Sequence, residues 1–277
     1  MRTCLDLLLA IVALGILIAG QPNASEAQLV PYDDFSSGLI DPSKWVGGEQ
    51  VGGAANPTTE IDRLIKSGQL EMRLTQYGLN NSDSGVSLGQ VRLSVTNPTP
   101  ITTMQARFNV LSGEAQTCPT NAGALVRARA QIVGGYFNDG TSPGAGNRIG
   151  DILGSVAKTV DSILGNIFVA AVTRCLDATC SNTGTLSFHQ FLATWTPNQV
   201  HTLTQTWDAA NHQFVFTVEP LSGGQPETIT LPYTQSDATP PVVAFRELIL
   251  NNWAANCNGS RLHASNVARF DNVMVNP

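Results

Sequence analysis

Apolar and polar residues alternate in segment after segment of this chain, with turn-forming residues between the segments. A period of two sends successive side chains to opposite faces of a β-strand. In residues 69–74 the apolar set Leu70, Met72 and Leu74 falls on even positions, after a turn at Lys66, Ser67 and Gly68. Residues 104–110 repeat the pattern with Met104, Ala106, Phe108 and Val110, while Gln105, Arg107 and Asn109 take the other face. In residues 125–132, Val126, Ala128, Ala130 and Ile132 face one way, and Arg127, Arg129 and Gln131 the other. Residues 200–207 and 213–218 read as a hairpin, because Asp208 and Asn211 in the connection can bond the local backbone. The stretch 150–168 carries apolar residues at helical spacing, yet Gly154 and Gly165 weaken a helix and its valines and isoleucines suit strands. Two strands with a turn near Asp161 and Ser162 are expected there, a crossover helix being the alternative. Residues 140–146 read as a long surface loop, and no solenoid or propeller period recurs. The pattern predicts an all-β, antiparallel sandwich.

The first residues change the picture of where this sandwich works. Arg2 precedes an apolar run from Leu7 to Ala19, and Ser25-Glu26-Ala27 has the small-x-small pattern of a signal peptidase site. Spanning a bilayer takes roughly 20 apolar residues, so residues 1–27 are expected to be a signal peptide and 28–277 a single exported domain, secreted or periplasmic, with no membrane span. Cys4 precedes the apolar run, which does not support a lipid-anchored cysteine at the cleavage point. Four cysteines remain, Cys118, Cys175, Cys180 and Cys257, and these allow three pairings. A small loop closed by Cys175 and Cys180 in a turn-rich stretch would leave Cys118 to join Cys257. Zinc is the alternative for these thiols, but the spacing is loose and no CxxC occurs. Only 13% of the chain is charged and its net charge is −6, which lacks the basic footprint of a nucleic-acid binder.

After the leader the chain opens with Tyr32-Asp33-Asp34-Phe35, followed by Trp45, and it closes with Phe270-Asp271-Asn272-Val273 and Val275. These bookends resemble the first and last strands of concanavalin A-like lectin/glucanase (LamG-like) sandwiches, in which the two segments pair. The hairpin region, with Trp195, Pro197, Trp207 and Phe214, is similar to a hairpin of the same superfamily. The resemblance implies a jelly roll, and it reaches the beginning, middle and end of the mature chain. It also implies a candidate structural calcium where first and last strands meet, with Asp34 and Asp271 as oxygen ligands and Glu49 as a weaker one. Calcium takes 6 to 8 oxygens, so carbonyls and waters would complete the shell.

Such folds host lectins, glycosidases and inert modules alike, so activity has to be read from a site. Lectin-like glucanases carry E-x-D-x-x-E or E-x-D-x-E on one strand. Glu60 and Asp62 alone approach this spacing, and the final glutamate is missing. His189, His201, His212 and His263 follow no nucleophile elbow, and no HExxH is present. A binding surface is the stronger candidate. If their strands are neighbours, Arg107, Arg127, Arg129 and Gln131 form a polar strip on a concave sheet, able to hydrogen-bond sugar hydroxyls or pair with uronates, with Tyr136 offering its ring to a sugar face. The bland reading is the solvated side of an antiparallel sheet. Trp45, Trp195, Trp207 and Trp253 are expected in the core or at sheet edges, with Trp253 near the Cys257 disulfide. The leading expectation is therefore a carbohydrate- or envelope-polymer-binding module without turnover. A glycoside hydrolase or polysaccharide lyase with an atypical site, and a structural or adhesion protein, are the alternatives. Asn80-Asn81-Ser82 and Asn258-Gly259-Ser260 are sequons only if the source glycosylates them.

Overall fold

A computed structural model of the chain describes residues 28–56, 58–220 and 224–276; the expected leader lies outside the described residues. The strands in chain order are β1 (Val30–Asp33), β2 (Trp45–Val46), β3 (Gln50–Asn56), β4 (Thr59–Lys66), β5 (Gln69–Tyr77), β6 (Val86–Val95), β7 (Thr103–Ala115) and β8 (Arg127–Asn138). They continue with β9 (Asp151–Asp161), β10 (Gly165–Cys175), β11 (Thr183–Thr194), β12 (Val200–Asp208), β13 (Gln213–Pro220), β14 (Glu227–Pro232), β15 (Phe245–Ala255) and β16 (His263–Val275). They form two antiparallel sheets. The first runs β14-β13-β12-β7-β16-β5-β4-β3, with β1 paired to β16. The second, of seven strands, runs β11-β10-β9-β8-β15-β6-β2.

Between the sheets lies one core. Leu70, Met72 and Leu74 of β5, Phe108 of β7, Phe214 and Phe216 of β13 and Phe270 of β16 meet Ala130, Ile132, Val156, Phe168, Leu248 and Leu250 of the other sheet. Each is the inward half of an alternating strand, so the pattern read from the sequence is the packing pattern of the molecule. β15 is an exception. Its centre, Leu248, Ile249 and Leu250, is apolar on both faces and buried throughout, as in a strand flanked on both sides and covered on both faces.

The bookends meet as the resemblance implies, Val30 opposite Val275 and Pro31 opposite Met274. Asp33 then ties the two sheets together. Its carboxylate accepts a hydrogen bond from Phe35 N (2.9 Å) and one from Trp45 Nε1 (2.6 Å), and Trp45 belongs to β2 of the seven-stranded sheet. Phe35 sits at φ 55°, a region a bulky residue avoids unless held there. The Asp33 cap and stacking on Trp45 at 5.7 Å supply that hold.

Residues 150–168 form the β9–β10 hairpin. Asp161 Oδ1 accepts from Ile163 N (2.9 Å) and Leu164 N (3.1 Å), and Gly165 takes φ 75° opposite Asp161, which closes the turn and turns two apolar side chains outward. Ile163 and Leu164 are 72% and 56% exposed. The disulfides are Cys118–Cys257 and Cys175–Cys180. Cys118 and Cys257 are enclosed by Val126, Ala254, Ala255 and Ala264. Trp253, expected against that bridge, points the other way, because it precedes Ala254 on a strand whose side chains alternate.

Candidate functional site

On the outer face of the seven-stranded sheet, strand register lines side chains up in rungs. One rung reads Leu88, Trp253, Arg127, Asp161 across β6, β15, β8 and β9. The next reads Gln90, Asn251, Arg129, Thr159 and then Ile167 of β10. A third reads Arg92, Ile249, Gln131, Ala157, Val169. A fourth reads Ser94, Glu247, Val133, Ser155, Ala171, and ends at Phe188 of β11. Cross-strand partners share a face, so polar groups far apart in sequence become neighbours.

The first two rungs carry unspent chemistry. The guanidinium of Arg129 lies 5.2 Å from the centre of the Trp253 ring and that of Arg127 lies 5.8 Å from it, a cation–π arrangement that holds both arginines over the indole. Among the described residues neither guanidinium makes an ion pair. Burial draws the Arg129 guanidinium down to about 9, Arg127 beside it pushes the same way, and Asp161 opposes both; at neutral pH the group stays charged. Beneath the stack, Arg129 Nε, Asn251 Oδ1 and Thr159 Oγ1 are each buried and without a hydrogen-bond partner. One is a donor, one an acceptor and one can be either, and all three lie on a single rung. Buried polar atoms left in this state cost free energy unless a water or ligand completes them. Beside them opens a cleft of about 230 Å3, whose wall passes from Arg127, Arg129 and Thr159 to Ile163, Leu164 and Phe188.

Three sequence expectations are corrected here. Arg107 is not part of this strip: it lies on β7, in the other sheet, opposite Asp271 on β16 and Thr202 on β12. Local alternation gives a side chain's face within its own strand but not which sheet the strand joins. Tyr136 does not face a ligand. It is 3% exposed, its hydroxyl accepts from Gln205 Nε2 at 2.7 Å, and the Arg246 guanidinium stacks on its ring at 3.6 Å. The physical reason is a register shift between Gly135 and Phe137, which reverses the alternation and sends Tyr136 inward. Trp253, grouped with core tryptophans, is instead the aromatic plate of the site, whereas Trp45 and Trp195 are 2% and 3% exposed. Gln131 lies on the same outer face as Arg127 and Arg129, at 5% exposure.

The calcium residues do not fit an ion. Asp34 Oδ1 accepts from Ser36 N and Ser36 Oγ, while Asp271 accepts from Asn272 N through one oxygen and Gln69 Nε2 through the other. Neither joins a cluster of three or more ligating side chains among the described residues, and nor does Glu49. Asp34 and Arg107 do line a larger cleft, about 400 Å3, on the outer face of the first sheet. Its carboxylates already serve backbone and side-chain donors, Asp33 included. Glu60 and Asp62 lie on β4 of that same sheet, where Asp62 holds Gly52 N at 2.6 Å and Glu60 accepts from the Tyr77 hydroxyl at 3.3 Å. Lys158 points inward from β9, 1% exposed. Its ammonium donates to Gln199 O (2.7 Å), contacts His201 Nδ1 (3.2 Å), and burial takes it down to about 7. No ligand reaches it there.

No family model and no curated protein matches the chain. Solved structures do resemble it. A winged bean acidic lectin complexed with methyl-alpha-D-galactose shares 13% identity at a TM-score of 0.42, over 90% of this chain and 98% of its own. An endo-β-galactosidase from Clostridium perfringens that releases GlcNAcα1-4Gal shares 11% at 0.46, over 90% and 63%. A legume lectin-like domain from Entamoeba histolytica shares 10% at 0.38, over 88% and 98%. The two-sheet antiparallel sandwich, with first and last strands paired, is of the concanavalin A-like lectin/glucanase class.

Proposed function

We propose that the protein is an exported module that binds a carbohydrate polymer on the outer face of its seven-stranded sheet, without chemical turnover. The observation that carries this reading is the rung of Asn251, Arg129 and Thr159, with three unpartnered buried polar atoms beneath an arginine–tryptophan stack. Sugars offer hydroxyls that both donate and accept, and a guanidinium–indole plate offers them donors beside an apolar ring. The rungs run on across several strands, which suits an extended chain better than a single sugar. Two disulfides agree with a mature protein that is secreted or periplasmic.

The hydrolase or lyase alternative has one feature in its favour. Glu247 lies on the same face and its carboxyl is raised, because burial outweighs the help of Arg92 and Ser94. Asp161, the carboxylate at the other end of the ladder, is three rungs away, about 20 Å along the strands. Glycosidase pairs stand about 5 to 9.5 Å apart. Affinity electrophoresis of residues 28–277 through neutral and uronate-bearing polysaccharides tests the proposal. Retardation by a polymer, abolished in Arg127→Ala/Arg129→Ala and unaccompanied by release of reducing ends or unsaturated product, is expected. Release that disappears in Glu247→Gln would replace it with the enzymatic reading.

A further inference from the structure

The cleft beside the arginine pair is not a plain sugar site. Of its lining, Leu125, Ile163, Leu164 and Phe188 are large apolar side chains that are 51% to 72% exposed. Their exposure is built in, since Asp161 caps the amides of Ile163 and Leu164 and so fixes the turn that holds both outward. Ile167 and Val169 form an apolar floor, buried at 3% each. At one end of this shelf stand two guanidiniums with no ion-pair partner among the described residues, in a protein whose net charge is −6. Isolated exposed apolar residues need no explanation, but a contiguous group rimmed by charge marks a recognition surface.

We infer that this cleft binds an amphiphilic carboxylate, with the anion on Arg127 and Arg129 and an aliphatic chain laid along Ile163, Leu164 and Phe188. Charge complementarity selects the occupant. A cationic amphiphile would meet two like charges, and a neutral sugar would leave the apolar shelf in water. The carboxylate's oxygens accept from the guanidiniums, a strong, charge-assisted kind of hydrogen bond. Chain methylenes cover surface that is now exposed. At about 230 Å3 the cleft is smaller than the roughly 300–1,000 Å3 of enclosing ligand pockets, so it holds the head and first part of a chain rather than a whole lipid. The inference is independent of the carbohydrate reading, although the two ligands would share both arginines.

Isothermal titration of residues 28–277 with decanoate, below its micelle concentration, tests it, with acetate and decyltrimethylammonium as controls. Saturable one-to-one binding of decanoate alone is expected. Arg127→Ala/Arg129→Ala should weaken it about tenfold or more, and Ile163→Ser/Leu164→Ser about fivefold. Both altered sites are at the surface, and unchanged thermal unfolding of each variant checks that the fold is kept. Absent decanoate binding overturns the inference, as does equal affinity for the cationic amphiphile or indifference to either double substitution. Retardation by polysaccharide, measured on the same preparations, separates the two readings: polymer bound and decanoate not bound sinks this inference alone, and the reverse sinks the other.

Discussion

The two sheets each present arginines to solvent, and the two faces treat them in opposite ways. On the outer face of the first sheet, Glu71 stands among three cations. Its carboxylate accepts from Arg269 Nε at 2.9 Å and Arg73 Nη2 at 3.1 Å, and Lys66 Nζ lies 3.5 Å away. Glu71 is 1% exposed, yet its carboxyl lies below the usual value: burial alone would raise it, but hydrogen bonds from Arg269 and Arg73 outweigh that. On the outer face of the seven-stranded sheet, Arg127 and Arg129 have an indole and no carboxylate in ion-pair reach among the described residues. A count of arginines would rate the faces alike. What separates them is whether the charges are already answered within the fold. Answered charges hold a sheet together, and unanswered ones are available to a ligand.

The sharpest way to break the comparison is to unmake the answered face. Glu71→Ala should destabilise the protein by about 2 kcal/mol, less than a fully buried pair because Arg73 and Lys66 are half exposed. Denaturant unfolding at pH 7 measures it, and binding at the other face should not change. The same group predicts acid behaviour. Its folded value lies below the ordinary 4.5, so its contribution is complete above that pH and is lost as pH falls through the lower folded value. The wild-type unfolding midpoint should therefore decline more steeply below pH 4.5 than that of Glu71→Gln; parallel curves would remove Glu71 from the account.

Smaller effects come from altering the unanswered face. Arg127→Ala/Arg129→Ala should cost about tenfold in affinity for whichever anionic or sugar ligand binds there. Supplying the missing carboxylate is the converse experiment. Asn251→Asp places it directly across from Arg129 and should raise stability by about 0.5 to 1 kcal/mol while lowering ligand affinity. A variant that binds as well as wild type would mean that the charge on Arg129 is not what the ligand reads. The smallest effect expected is on the stability of Arg127→Ala/Arg129→Ala, within about 0.5 kcal/mol of wild type by thermal unfolding, because the pair supports little besides its contact with Trp253.

Much of this architecture is legible from the chain. The period-two runs of β5, β7 and β8, the β12–β13 hairpin, the turn at Asp161 and both cysteine pairs stand where residue pattern and turn chemistry put them. Half of the site is legible as well, since Arg127 and Arg129 are the polar half of an alternating strand. Its other half is not. Asn251 and Trp253 lie on β15, whose apolar centre shows no alternation to reveal a ligand-facing side, and Thr159 lies in a segment that also reads as a helix. Tyr136 shows the limit of local pattern, for one irregularity in register moves a whole ring from the surface to the core.

By itself, then, the sequence determined the strands, their inward and outward halves, and the pairing of the first strand with the last, because these depend on side-chain alternation and on segments that resemble a known sandwich. Only the tertiary structure decided that Arg107 and Arg129 belong to different sheets and that Trp253, Asn251 and Thr159 share rungs with the arginines. It also left one group of cations with a carboxylate at its centre and the other without. The reason is that register between strands distant in sequence is set by the packing of the whole core, and such pairings leave no local mark in the chain.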